Sequence, residues 1–216
     1  VIQTYLPEAI VSVWEDEKFP QELLDEALEW SDVAGIGPGF GTGNTQKKIL
    51  TYVLGHYEKP LVIDADGLNL LAKERALLCS LRPNTVLTPH IGEMMRLIEG
   101  TKEEVLQNIV HTAAGFAEEY HAVCVLKDAR TVVSNGRKSY INTSGNSGMA
   151  AGGSGDILTG IICGLLAQHM PVFEAASLGV YLHGLAGDAA KEKRGAYGMI
   201  ARDIADEIGN VLKRTE

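Results

Sequence analysis

The run Asn146-Ser147-Gly148-Met149-Ala150-Ala151-Gly152-Gly153-Ser154-Gly155-Asp156 carries four glycines and ends on a carboxylate. It leads directly into the helical apolar pattern Ile157, Leu158, Ile161, Ile162, Leu165, Leu166. Glycines let a backbone come close to a ligand, and the N–H groups of a first helical turn have no partners within the helix. A phosphate is the natural occupant of such a place. Gly152, Gly153, Ser154 and Gly155 read as an anion cradle, with Asp156 where a phosphoryl group would arrive. An aspartate in a first turn can also cap or complement the helix dipole. That reading accounts for Asp156 and leaves the glycines ahead of it unexplained.

Further constellations occur where strand-like runs give way to helices. Gly35-Ile36-Gly37-Pro38-Gly39-Phe40-Gly41-Thr42-Gly43 has more glycine than a tight turn needs, and Pro38 breaks the spacing of a dinucleotide fingerprint. Its place at the carboxyl end of a strand is where open α/β sheets bind ligands. In Asp64-Ala65-Asp66-Gly67-Leu68-Asn69 the carboxylates at i and i+2 are expected on one face, to hold magnesium or a substrate hydroxyl. The alternative is a helix cap by Asp66, with Asn69 completing a local turn. In Thr88-Pro89-His90-Ile91-Gly92-Glu93, His90 can donate to a ligand or carry a proton near neutral pH, while Glu93 can cap the next helix. Lys127, Asp128, Ala129, Arg130 and Thr131 form a donor-rich turn suited to a nucleotide phosphate or ribose. His183, Gly184 and Asp188 fall inside an apolar helical pattern and are expected to be satisfied core groups, the alternative being that they line a base pocket.

Strand-length apolar runs alternating with amphipathic stretches predict an α/β fold on a largely parallel sheet. Strands are expected over 33–37, 61–66, 85–88 and 122–127, and helices over 21–30, 46–57, 68–78 and 102–120, the last capped by Thr101. Asn135-Gly136 between 131–134 and 138–142 predicts an antiparallel hairpin that joins the sheet late. Helices over 157–169 and 173–191, rich in small residues, are expected to be largely buried, and 200–212 reads as a docking helix.

The chain has 216 residues, enough for one sizeable core without requiring a second domain. A net charge of −9 opposes non-specific attraction to nucleic acid or anionic lipid, so a phosphorylated ligand must rely on local positive ends. Cys79, Cys124 and Cys163 are far apart without a CxxC pair, which argues against a zinc site or disulfide framework and predicts buried thiols of a reducing compartment. No apolar run approaches a membrane span, and a soluble, cytoplasmic protein is expected. The chain opens at Val1 with residues that read like the middle of a domain, so an upstream segment is expected.

In their order, Gly-Pro-Gly-Phe-Gly, Asp-Ala-Asp-Gly-Leu-Asn, Leu-Thr-Pro-His-Ile-Gly-Glu, Lys-Asp-Ala-Arg-Thr and Gly-Gly-Ser-Gly-Asp-Ile-Leu-Thr-Gly resemble the nucleotide-dependent NAD(P)H-hydrate dehydratases of the ribokinase-like superfamily. The resemblance runs from about Asp32 to the last helix. It implies a three-layer αβα sandwich with a mostly parallel sheet, and a single domain over 1–216 that lacks the family's first glycine-rich strand-helix region. It further implies dehydration of the S-epimer of hydrated NADH or NADPH, driven by ADP or ATP, with ADP the expected donor. On that resemblance Gly39, Gly41 and His90 meet the hydrated dinucleotide and Asp156 its reacting hydroxyl. Lys127 to Thr131 take the adenine nucleotide, and Gly155 its phosphate. Mg2+ is expected without nameable ligands, as is a homo-oligomer, with a tetramer favoured, built through the first helix and residues 1–14. Two competing readings are a kinase of the same superfamily, such as a hydroxyethylthiazole kinase, and a nucleotide-binding module without turnover. An epimerase domain ahead of the chain, as in some relatives, also fits the absent natural start.

Overall fold

The computed structural model describes residue 4, residues 6–15 and residues 18–213. After α1 (Gln21–Trp30), four strands are reached in turn: β1 (Ala34–Ile36), β2 (Leu61–Ile63), β3 (Thr85–Leu87) and β4 (Val123–Leu126). Between them lie α2 (Asn44–His56), α3 (Ala65–Lys73) with a 3₁₀ turn at Arg75–Ser80, and then α4 (Ile91–Ile98), α5 (Lys102–Gln107) and α6 (Ile109–Glu119). β5 (Val132–Ser134) and β6 (Ser139–Ile141) form the hairpin, followed by a short 3₁₀ turn at Ser147–Met149 and by α7 (Ser154–Leu166), α8 (Val172–Arg194) and α9 (Ala201–Lys213). The sheet runs β1-β2-β3-β4-β5-β6, parallel through β4 and antiparallel after it.

This order decides the layers. Parallel neighbours that advance in one direction through right-handed crossovers place every crossover helix on the same face. Leu61, Ile63, Leu87, Cys124, Leu126 and Val132 accordingly pack against α2, α3, α4 and α6. The alternate strand residues Val62, Val86, Val123, Val125 and Val133 face α7 and α8, the helices left over once the hairpin is made. A third cluster, with Leu182, Ala186 and Ile204, docks α9 on α8. Strands buried on both faces explain why β2 and β4 read as unbroken apolar runs and β3 as one broken only by buried Thr85.

The structure departs from the sequence expectations in places. The helix expected over 102–120 is two helices, because Asn108 leaves helical geometry and its side chain accepts from the His111 N–H to start α6. Helix α3 begins at Ala65, earlier than expected, so β2 stops at Ile63 and Asp64 becomes a helix N-cap residue. Cys79 is exposed in the 3₁₀ turn, whereas Cys124 is buried and Cys163 partly so.

Candidate active site

The carboxyl ends of β1 to β4 and the start of α7 share one rim, and backbone contacts knit it together. Gly37 has φ 130° and lies so close to the start of α3 that an added Cβ would fall 1.7 Å from the Asp64 carbonyl oxygen. The Asp64 N–H donates to the Ile36 carbonyl at 3.0 Å. Lys127 bridges His90 in parallel fashion, its N–H donating to the Pro89 carbonyl at 2.7 Å.

At the centre is an ion pair. Asp64 is 1% exposed, its Oδ1 lies 2.8 Å from Lys127 Nζ, and its Oδ2 accepts from Thr159 Oγ1 at 2.9 Å. Burial by itself would raise the Asp64 pKa, but the Lys127 charge and hydrogen bonds, including those involving Thr88 and the Ala65 N–H, outweigh it and hold the carboxyl below its usual range. A Cβ at Gly155 would stand 3.2 Å from Lys127 Nζ and 3.5 Å from Asp64 Oδ2. The ammonium therefore lies beside the first turn of α7.

That turn carries the run from Gly152 to Asp156. Gly153 takes φ 88° at the N-cap, and the N–H groups of Gly155 and Asp156 have no carbonyl partner among the described residues. Gly152 and Gly153 are exposed, and Asp156 is exposed with no hydrogen bond or ion pair to a described residue. Ser154 is buried, its Oγ 3.3 Å from His183 Nε2. Burial chiefly, and the Lys127 charge less, lower the His183 pKa to about 4 against the opposing contact with Ser154, so the ring is neutral at pH 7. The preceding loop is tied to α8: Asp188 accepts from the Gly145 N–H and from Asn146 Nδ2, both at 2.9 Å. Gly184 leaves room for Ser144, so His183, Gly184 and Asp188 are satisfied groups that hold the start of α7 and the loop before it.

The two carboxylates of the Asp64 motif do not share a face. Once Asp64 is a helix N-cap residue, the period of two no longer applies, and Asp64 turns inward to Lys127. Asp66 instead accepts from the Gly41 N–H at 2.8 Å and from Asn69 Nδ2 at 3.4 Å, so it shapes the glycine loop. Gly39 and Gly41 take φ 65° and 81°, and a Cβ on Gly39 would meet nothing within 4 Å. A cavity of about 530 Å³ opens beside this loop between Thr42, Asp66, Asn69 and Arg96.

His90 is the N-cap of α4: its Nδ1 accepts from the Glu93 N–H at 3.1 Å while Glu93 Oε2 accepts from the His90 N–H at 2.8 Å. Its Nε2 lies 3.4 Å from Glu93 Oε1, with about half of the side chain exposed at the rim. Burial raises the Glu93 pKa despite the His90 N–H and the Lys127 charge. Of the 127–131 turn, Asp128, Ala129 and Arg130 are exposed, Arg130 Nη1 donates to the Thr143 carbonyl at 2.8 Å, and Thr131 is half-buried. Thr159 was not among the residues expected from the sequence. It lies four residues beyond Gly155 on one helix face, a spacing that points to the same environment.

No group of three or more His, Cys, Asp or Glu side chains among the described residues is placed to hold a metal. Asp64 is engaged by Lys127 and Asp66 by Gly41, so these donors do not fit a magnesium ion held by the protein.

A protein-family model described as NAD(P)H-hydrate dehydratase matches residues 1–210. The chain is 43% identical over 194 residues to the bifunctional NAD(P)H-hydrate repair enzyme Nnr of Moorella thermoacetica, which covers 89% of this chain and 37% of that protein. It is 40% identical over 214 residues to the ADP-dependent (S)-NAD(P)H-hydrate dehydratase of Neisseria meningitidis, covering 94% and 70%. Its fold matches the ADP/ATP-dependent NAD(P)H-hydrate dehydratase from Bacillus subtilis, co-crystallised with ATP/Mg2+ and soaked with CoA, with TM-score 0.80, 27% identity and coverage of 100% and 77%. The chain thus spans less than half the length of bifunctional relatives and most of the length of single-activity ones.

Proposed function

The chain belongs to the NAD(P)H-hydrate dehydratase family, and from that premise we propose that it restores NADH and NADPH from their hydrated S-epimers at the expense of a nucleotide, with ADP as donor. The observation that carries the proposal is the α7 first turn, where the Gly155 and Asp156 N–H groups and the Asp156 carboxylate have no partner among the described residues and the Lys127 ammonium lies 3.2 Å from where a Gly155 Cβ would stand. The name of the Neisseria meningitidis relative supports ADP.

Hydrated dinucleotide lies along Gly39, Gly41 and His90, and the 530 Å³ cavity beside the glycine loop supports that placement. The nucleotide lies along Lys127, Asp128, Ala129, Arg130 and Thr131, with its terminal phosphate on the 152–155 amides. Asp156 accepts the proton of the substrate hydroxyl as its oxygen bonds to phosphorus, and the bond from phosphorus to the nucleoside phosphate breaks. The amides and the ammonium stabilise charge on the moving group. Elimination then expels phosphate with the C–O bonding pair, a proton leaves the adjacent carbon, and the ring double bond returns. ADP is thereby converted to AMP and inorganic phosphate. Magnesium accompanies the polyphosphate as its counter-ion, and no step depends on a protein-held ion.

The 1–216 chain acts as one dehydratase unit in the cytoplasm and assembles as a homo-oligomer, with a tetramer favoured. Exposed Ile10, Val13, Trp14 and Trp30, the last 79% accessible, support a contact through α1 and the segment before it. Of that segment, Val1, Ile2, Gln3 and Tyr5 lie outside the described residues.

The test is to mix purified protein, hydrated NADH, magnesium and either ADP or ATP, and to follow the reduced-nicotinamide absorbance. Recovery with ADP supports the reaction and the donor together. Nucleotide binding without recovery, or a stable phosphorylated product, rejects the proposal in favour of a binding module or a kinase respectively.

A further inference from the structure

The Asp64–Lys127 pair is expensive as mere packing. Two charges, one on a 1%-exposed carboxylate, are taken from water at the end of β2 and the end of β4, beside the apolar core and among the buried polar groups Thr88, Thr159 and Glu93. Asp64 occupies the N-cap of α3 yet makes no side-chain cap there, because Lys127 and Thr159 take its oxygens. The next residue, Ala65, adopts a left-handed φ of 47°, unusual for alanine. Thr159 belongs to α7, so one carboxylate ties the ammonium to the helix whose first turn is the cradle. The ammonium itself lies 3.2 Å from where a Gly155 methyl would be, one residue from Asp156. Its side chain keeps 20% exposure, which leaves it a path to a ligand.

We propose that Asp64 is a positioning residue: it clamps the Lys127 ammonium and, through Thr159, the α7 first turn into one arrangement, so that ammonium and amides meet the same phosphoryl group during its transfer. The inference rests on the phosphoryl-transfer reading above and adds a residue that acts through Lys127 and Thr159. A long lysine chain left free would sample many rotamers; held by Asp64, the ammonium needs no reorganisation when charge develops.

The test begins with wild-type turnover of hydrated NADH. If that is absent with both ADP and ATP, the dehydratase reading and this one fall together. With turnover established, Asp64→Asn and Lys127→Met are each expected to lower kcat by about 100-fold while the nucleotide KM moves by less than about tenfold. The double variant Asp64→Asn/Lys127→Met removes both charges and retains the packing volume, so it folds even where a single change strands one buried charge. Its kcat is expected to match that of Lys127→Met rather than the product of the two losses, with a melting temperature near wild type. A double variant within about threefold of wild-type kcat, or single losses that multiply, overturns the positioning role while leaving the dehydratase reading standing.

Discussion

Acidification should destabilise this protein through His183 in a way that one substitution removes. The unfolded chain takes up a proton on this histidine near pH 6.5, whereas burial delays uptake in the folded protein to about pH 4. Between those values the unfolded state binds more protons, so the contribution is fully present above the unfolded value and is lost as pH falls toward the folded one. At about pH 4.5, some two pH units below the unfolded value, the loss is about 2.7 kcal/mol at ~1.4 kcal/mol per unit. His183→Gln keeps a polar side chain near Ser154 but cannot ionise. Urea unfolding of both proteins at about pH 7 and about pH 4.5 should show the wild type losing about 1 M more in midpoint, for m-values of roughly 2–3 kcal/mol/M. The depressed Asp64 pKa also works against the folded state in acid, but equally in both proteins, so it cancels in the comparison. Equal acid losses in wild type and variant would refute the reasoning.

Gly37→Ala would put a methyl carbon 1.7 Å from the Asp64 carbonyl oxygen at a φ of 130°, and should lower unfolding stability by about 3 kcal/mol or more. Gly39→Ala meets nothing within 4 Å and should lose only about 1 kcal/mol, for its φ of 65°; equal losses for the two would contradict the packing described. Native protein treated with a maleimide should be labelled first at exposed Cys79, because burial raises the Cys124 thiol pKa and pushes that of Cys163 up to about 11. Mass spectrometry showing early labelling of Cys124 would contradict its burial. Asp156→Asn should reduce kcat by about 10²–10⁴ with nucleotide affinity within a few-fold, read by turnover and calorimetry. Retained turnover would remove Asp156 as the proton acceptor.

The layers were legible because periodicity and glycine placement are local signals. Strand-length apolar runs at β2 to β4 and Asn135-Gly136 at the hairpin identified a largely parallel sheet with an antiparallel end. The exposed glycine-rich start of α7 was legible for the same reason, since Gly152 to Asp156 are contiguous. Pairings across the chain were not. Asp64 meets Lys127 and Thr159 across 63 and 95 residues, and no spacing rule spans such distances. The roles of Asp64 and Asp66 were also obscured by one boundary: a strand ending at Ile63 rather than at Asp66 turns the two carboxylates toward different partners. His90 and Glu93 form the capping box that their i, i+3 spacing allows, which gives His90 a structural duty beside the proposed ligand contact.

The most direct test of the central claim follows the substrate oxygen. Hydrated NADH carrying ¹⁸O in the ring hydroxyl is turned over with ADP, and the inorganic phosphate is examined by mass spectrometry. Phosphoryl transfer to that hydroxyl followed by elimination predicts that the ¹⁸O leaves with the phosphate as NADH forms. Unlabelled phosphate, with the label in water, would mean that nucleotide hydrolysis and dehydration are separate events and would contradict the account.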